Sequence, residues 1–149
     1  MKVVLALSLF IQMAVITLSP AEPAKVIGGW KVEIVFGNGE TRSVRFDAQA
    51  SGKGSLVLLI PKPISVGAAE GPAATWSESD NGSITFSGPV QFPLGNVGLL
   101  RGTLVLRGHF QPEGSISGEA AFFPAEQDLK DPEAEPSKRG TFKATRVAE

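Results

Sequence analysis

The sequence predicts an all-β protein, a closed eight-stranded antiparallel up-and-down barrel preceded by a signal-peptide helix, and three observations carry that prediction. From Trp30 to Val147 apolar and polar residues alternate with period two, with no helical stripe. No segment of helical length separates any two alternating runs, which excludes parallel crossovers. The first and last runs match in parity and charge, so they can pair and close the sheet.

The N-terminus comes first. Lys2 is followed by an apolar run from Val3 to Leu18, broken only by Ser8, Gln12 and Thr17, and then by Pro20. Ser19 and Ala21 supply small residues at the positions that precede a cleavage before Glu22. Residues 1–21 therefore read as a secretory signal and 22–149 as a single barrel domain. The competing reading is a retained anchor, because about 16 apolar residues approach the roughly 17 to 25 of a spanning helix. Cleavage would leave 13 basic and 15 acidic side chains. That balance provides no basic field for nucleic acid or anionic lipid, and after cleavage no membrane association is expected. With no Cys in the chain, stability has to come from packing and backbone pairing, and the expected location is secreted or periplasmic.

Eight strands are expected. The first holds Trp30, Val32, Ile34 and Phe36 on one face, and the second Val44, Phe46 and Ala48. The third runs from Ser55 to Ile60, the fourth from Ala74 to Glu78 around Trp76, and the fifth from Ser83 to about Gln91. Leu99 to Phe110, Ile116 to Phe123 and Gly140 to Val147 complete the set. Asn81-Gly82-Ser83 matches a glycosylation sequon but reads better as a turn between two strands.

Charge suggests the registers, since opposed residues must share parity. Trp30 opposite Ala48 and Ile34 opposite Val44 would face Lys31 with Asp47 and Glu33 with Arg45, whereas the tighter alternative faces Lys31 with Arg45. For the sixth and seventh strands, Arg107 opposes Glu119 and Phe110 opposes Ile116. The eighth strand against the first sets Trp30 by Arg146, Val32 by Ala144, Ile34 by Phe142 and Glu33 by Lys143. Strand one is then flanked on both sides, which leaves the sheet without edges.

Closure sorts the connections. Ser51 to Gly54, Asp80 to Gly82 and Gln111 to Ser115 form a plain end. Gly37 to Thr41, Pro61 to Ala73, Pro93 to Gly98 and Pro124 to Arg139 form an elaborated end. The last of these is acidic and proline-rich, and is expected to be mobile.

With the barrel outlined, Gly28-Gly29-Trp30 and Arg146 resemble a feature of the calycin superfamily, which includes the lipocalins, fatty-acid-binding proteins and avidins. In those families Gly-x-Trp opens the first barrel strand and a basic residue from the chain's end packs across the indole. The resemblance implies a lipocalin-like or avidin-like barrel with an internal ligand site. It gives Trp30 and Arg146 a structural role, alongside the Glu33 and Lys143 pair. No second lipocalin motif is present. Avidins hold biotin with Trp, Tyr, Ser and Asn, and with no Tyr and two Trp this chain is not expected to bind it. Glu78, at core parity near the same end, is either an ion partner of Arg146 or an exposed turn residue.

Catalytic machinery is sparse. His109 is the one histidine, and its parity points it outward, level with Ser117. Asp128, Asp131, Glu133 and Glu135 lack the ordered spacing of a calcium loop and read as a solvated acidic stretch. The glycines punctuate strands and do not form a phosphate cradle, and Gly102, Gly108 and Gly118 at core parity suit barrel bends. No cofactor, metal or catalytic residue is expected.

Two functions lead, ahead of a third, an enzyme with His109 as its acid or base. The first is a non-catalytic barrel that binds a small hydrophobic ligand inside, lined by Val32, Ile34, Val44, Phe46, Trp76, Phe86, Leu104 and Leu106 and entered at the elaborated end. Small inward residues such as Ala48, Gly102, Gly118, Ala120 and Ala144 either leave that cavity or fit the barrel's taper. The second is an inhibitor or envelope component with a solid barrel, which meets a protein partner through Pro61 to Ala73 and Pro124 to Arg139.

Overall fold

The computed structural model describes residues 25–59, 72–94 and 97–148. The expected signal peptide and all but the last two residues of the 61–73 connection lie outside them. Eight strands run in chain order: β1 (Gly28–Phe36), β2 (Thr41–Ala48), β3 (Lys53–Leu59), β4 (Ala73–Glu78), β5 (Ile84–Pro93), β6 (Leu99–Phe110), β7 (Ile116–Pro124) and β8 (Lys138–Arg146). Each pairs antiparallel with its neighbours in sequence, and β1 pairs with β8, so the sheet is a closed up-and-down barrel.

The closing register is the one that parity and charge predict. Trp30 stands opposite Arg146, Val32 opposite Ala144, Glu33 opposite Lys143 and Ile34 opposite Phe142. The β6–β7 register agrees too, with Arg107 opposite Glu119 and Phe110 opposite Ile116.

The β1–β2 register differs from the expectation by two residues. Trp30 faces Phe46, Val32 faces Val44, and Lys31 faces Arg45, the like-charge alternative. The hairpin turn is the reason. Phe36 N donates to Glu40 O at 2.8 Å and Gly39 N to Phe36 O at 2.9 Å, with Gly39 at φ +85°. This is a three-residue loop closed by a left-handed glycine, which fixes Phe36 against Glu40 and every pair below it. The same pattern recurs from Ser79 to Ser83 with Gly82 and from Gln111 to Ser115 with Gly114. The facing cations are each neutralised along their own strand. Lys31 Nζ lies 3.2 Å from Glu33, and Arg45 Nε donates to Asp47 at 3.0 Å. Exposed pairs of this kind are worth at most about 1 kcal/mol, too little to override turn geometry.

Even-numbered strand residues point inward. Trp30, Val32, Ile34, Phe36, Val44, Phe46, Ile84, Phe86, Leu104, Leu106, Phe122 and Phe142 are buried, joined by Val26, Val90 and Phe92. Trp76, expected inside, is only partly buried, as is Leu58. Aromatic contacts span the lumen at successive heights. Trp30 on β1 meets Phe110 on β6 with ring centroids 6.1 Å apart, and Phe46 on β2 meets Phe86 on β5 at 4.5 Å. Higher still, Phe92 on β5 touches Phe36 on β1 at 6.0 Å and Phe122 on β7 at 5.1 Å.

Side chains on the inward Gly102, Gly108 and Gly118 would collide first with backbone of the facing strand, and at Gly102 and Gly108 with phenyl rings as well. A Cβ on Gly102 would fall 2.5 Å from the Phe122 ring, and one on Gly108 3.0 Å from the Phe142 ring. The glycines therefore permit the close approach of β6 and β7 and leave room for the Phe122 and Phe142 rings.

β4 is short and pairs with β3 at only three positions, Lys53 to Thr75, Gly54 to Ala74 and Ser55 to Ala73. Its ladder to β5 stops at Thr75 opposite Ser87, while β5 continues along β6 as far as Pro93. Pro89 and Pro93 lack donors, and strands tolerate that where one edge is not in a ladder.

Candidate functional site

At the plain end, Arg146 binds across the first strand. Its guanidinium carbon lies 4.4 Å from the Trp30 ring centroid, and its Nη1 donates to Ile27 O at 2.8 Å. Nη2 donates to Lys25 O, and Trp30 Nε1 donates to Val26 O at 2.8 Å. Residues 25–27 are thereby drawn over this end, with Val26 fully buried beneath the indole. Gly28, at φ +129°, has no side chain to obstruct the guanidinium. Glu78 is exposed, and among the described residues no ion pair joins it to Arg146. Glu33 and Lys143 face each other in the ladder, but their carboxylate and ammonium bind elsewhere. Glu33 takes Lys31, and Lys143 lies 3.7 Å from Glu113. Glu113 also accepts from Ser115 Oγ at 2.7 Å, and that hydroxyl is the main reason its carboxyl titrates below the ordinary range.

Of the eight residues expected to line a ligand site, Val32, Ile34, Val44, Phe46, Phe86, Leu104 and Leu106 share one buried cluster. Trp76 packs against that cluster near the plain end, where its Nε1 donates to Gln49 O at 2.7 Å. In this structure their apolar surfaces are satisfied by one another.

The elaborated end carries polar chemistry that lies outside the expected site. Glu40, Arg42 and Lys138 all have core parity, continuing the inward rows of β2 and β8 past their last apolar residues. Arg42 Nη2 and Lys138 Nζ both donate to the Glu40 carboxylate, one to each oxygen. Arg42 lies over the Phe92 ring at 5.5 Å and Lys138 over the Phe36 ring at 5.7 Å. The three side chains are only 19–23% exposed. Glu40 titrates below the ordinary carboxylate value, first because Lys138 donates to its ionised form and then through Asn38 and the Arg42 charge, with burial opposing. Arg42 Nη1 donates to Thr41 O at 2.9 Å, but its buried Nε has no partner among the described residues. Parity alone would have placed all three inward. Glu40 and Lys138 fell inside the expected Gly37 to Thr41 and Pro124 to Arg139 connections, and Arg42 just beside the first.

The same end carries several of the exposed apolar side chains. Leu94, Val97 and Leu99 sit on and beside the β5–β6 connection, Val97 being 93% exposed. Val35, Val57 and Leu59 lie along outer strand faces, Leu129 belongs to the β7–β8 connection, and none of the seven belongs to a plain-end loop. That last connection, 125–137, is largely exposed and folds into successive turns. Asp128 Oδ1 accepts from Lys130 N and Asp131 Oδ1 from Glu133 N, both at 2.9 Å. These carboxylates serve as turn caps. Among the described residues no group of three or more His, Asp or Glu side chains is placed to hold a metal ion. His109 is exposed opposite Ser117, as its parity predicts. No protein-family profile, curated protein or solved structure matches the chain.

Proposed function

We propose that this chain is a non-catalytic, secreted or periplasmic interaction module whose barrel is a solid scaffold and whose elaborated end meets a protein partner. The observation that carries this reading is the asymmetry of the surface. Leu94, Val97 and Leu99 expose apolar surface at one end, with Leu129 in the β7–β8 connection, whereas among the described residues no large exposed apolar side chain belongs to a loop of the other, where Arg146 ties down residues 25–27. Exposed apolar groups gathered in one region mark interaction surfaces more often than scattered ones do. Loops on a rigid scaffold are a usual place for binding residues. The apolar N-terminal run supports export, and the Trp30–Arg146 contact supports a calycin-like barrel.

The rings that cross the lumen favour this reading over uptake of a small apolar ligand, which would have to displace Phe46, Phe86 or Phe92. A photo-crosslinking residue placed at Val97, and separately at Asp80 on the plain end, tests the proposal in the native host. An adduct of discrete mass from position 97, lost when Leu94 and Leu99 are both changed to Ser, is the expected result. Equal labelling from both ends, or none from position 97, overturns it.

A further inference from the structure

We propose that Arg42 and Lys138, at the mouth of the barrel, form a docking site for one carboxylate attached to an apolar group. This goes beyond the interaction reading and stands without it.

The first ground is charge. Among the described residues both cations end on the single carboxylate of Glu40, so the triad carries one excess positive charge in side chains about four-fifths buried. A charge held where solvent reaches it poorly exerts a stronger field than one in open water. One monoanion neutralises it, whereas a phosphate dianion would leave the mouth negative.

The second ground is the donor inventory. Arg42 has Nη1 on Thr41 O and Nη2 on Glu40, while Nε keeps a hydrogen with no acceptor among the described residues. A buried donor in that state is uncommon and costly. The Nε and Nη2 edge of a guanidinium matches the two oxygens of a carboxylate. Lys138 has three hydrogens to give and only one bond, to Glu40, among the described residues.

Placement is the third ground. The rings of Phe92 and Phe36 support the two cations from beneath. Phe92 stands opposite Leu100 in the β5–β6 ladder, and Pro93 opposite Leu99, so exposed Leu94 and Leu99 lie within a residue or two of the Arg42 platform. A carboxylate reaching Arg42 would bring whatever it is attached to against these apolar side chains. Two sources share that chemistry, a free organic acid and an acidic residue beside apolar ones in a partner chain.

The test is an NMR titration of the whole protein that follows the Arg42 Nε–Hε resonance. Acetate is expected to shift it saturably, and acetamide, its neutral analogue, to leave it in place. Glu40→Gln frees two cations for the incoming anion and should tighten acetate binding by about tenfold, while Lys138→Met should weaken it by a similar factor. Hexanoate and a blocked Leu-Leu-Asp peptide then separate the two sources, the tighter of the two naming the source. Equal responses to acetate and acetamide in the unmodified protein, a comparison that needs no variant to fold, overturn the proposal. Acetate binding unchanged by Glu40→Gln also overturns it, as does failure of both longer acids to bind more tightly than acetate.

Discussion

Arg146 lies 4.4 Å above the centre of the Trp30 ring and joins the last strand of the barrel to the first. Its two donated hydrogen bonds also tie down the backbone of Ile27 and Lys25. Arg146→Ala removes a cation–π contact and two charge-assisted bonds, and should lower stability by about 1–3 kcal/mol. Urea unfolding followed by tryptophan fluorescence measures this, and Arg146→Lys should recover only part of the loss, because an ammonium cannot reach both carbonyls in the same plane.

Phe46 fills the middle of the lumen against Phe86. Phe46→Ala should cost about 3–5 kcal/mol and leave a dry cavity. The variant, if folded, should take up small apolar probes such as benzene, with shifts at the neighbouring Val44 and Leu56 methyls that the parent protein lacks.

Gly39 sits at φ +85° with open space around it. Gly39→Ala should therefore destabilise by about 1 kcal/mol through backbone strain alone. The ladder partners of Trp30 and Val32, read from cross-strand nuclear Overhauser effects, should not change.

Glu40 predicts an acid dependence of known sign. Its carboxyl titrates lower in the folded chain than its ordinary value of 4.5, so the unfolded chain binds the proton more readily. The stabilisation is complete above the ordinary value and is lost as pH falls through the lower, folded one. Glu40→Gln should reduce the stability change across that acid window and be nearly superimposable on the parent below it. Unfolding midpoints measured at stepped pH provide the check, with the similarly lowered Glu113 contributing in both proteins.

Closure of the barrel was legible in the sequence because β1 and β8 face each other directly, with no turn between them to impose a register. Parity and the pairing of Glu33 with Lys143 were then enough. The β1–β2 hairpin was less legible, since the three-residue loop outweighed the cross-strand charges, which turned to partners on their own strands. Phe92 was missed because the fifth strand was expected to end at about Gln91, ahead of Pro93, whereas it runs on to Pro93 along β6, where a proline is tolerated because the ladder to β4 has stopped. The Glu40–Arg42–Lys138 triad was hidden because its residues fell inside or just beside expected connections. Charged residues beside a loop read as solvated until parity turns them inward over phenyl rings.

The solid interior is the claim that sets this reading apart from uptake of a small ligand, and methyl NMR of the intact protein under saturating benzene or xenon tests it most directly. The inward methyls of Val32, Ile34, Leu104 and Leu106 should keep their shifts, with any response confined to the exposed Leu94, Val97 and Leu99. Saturable shifts at the inward methyls would contradict it and return the ligand site to the lumen.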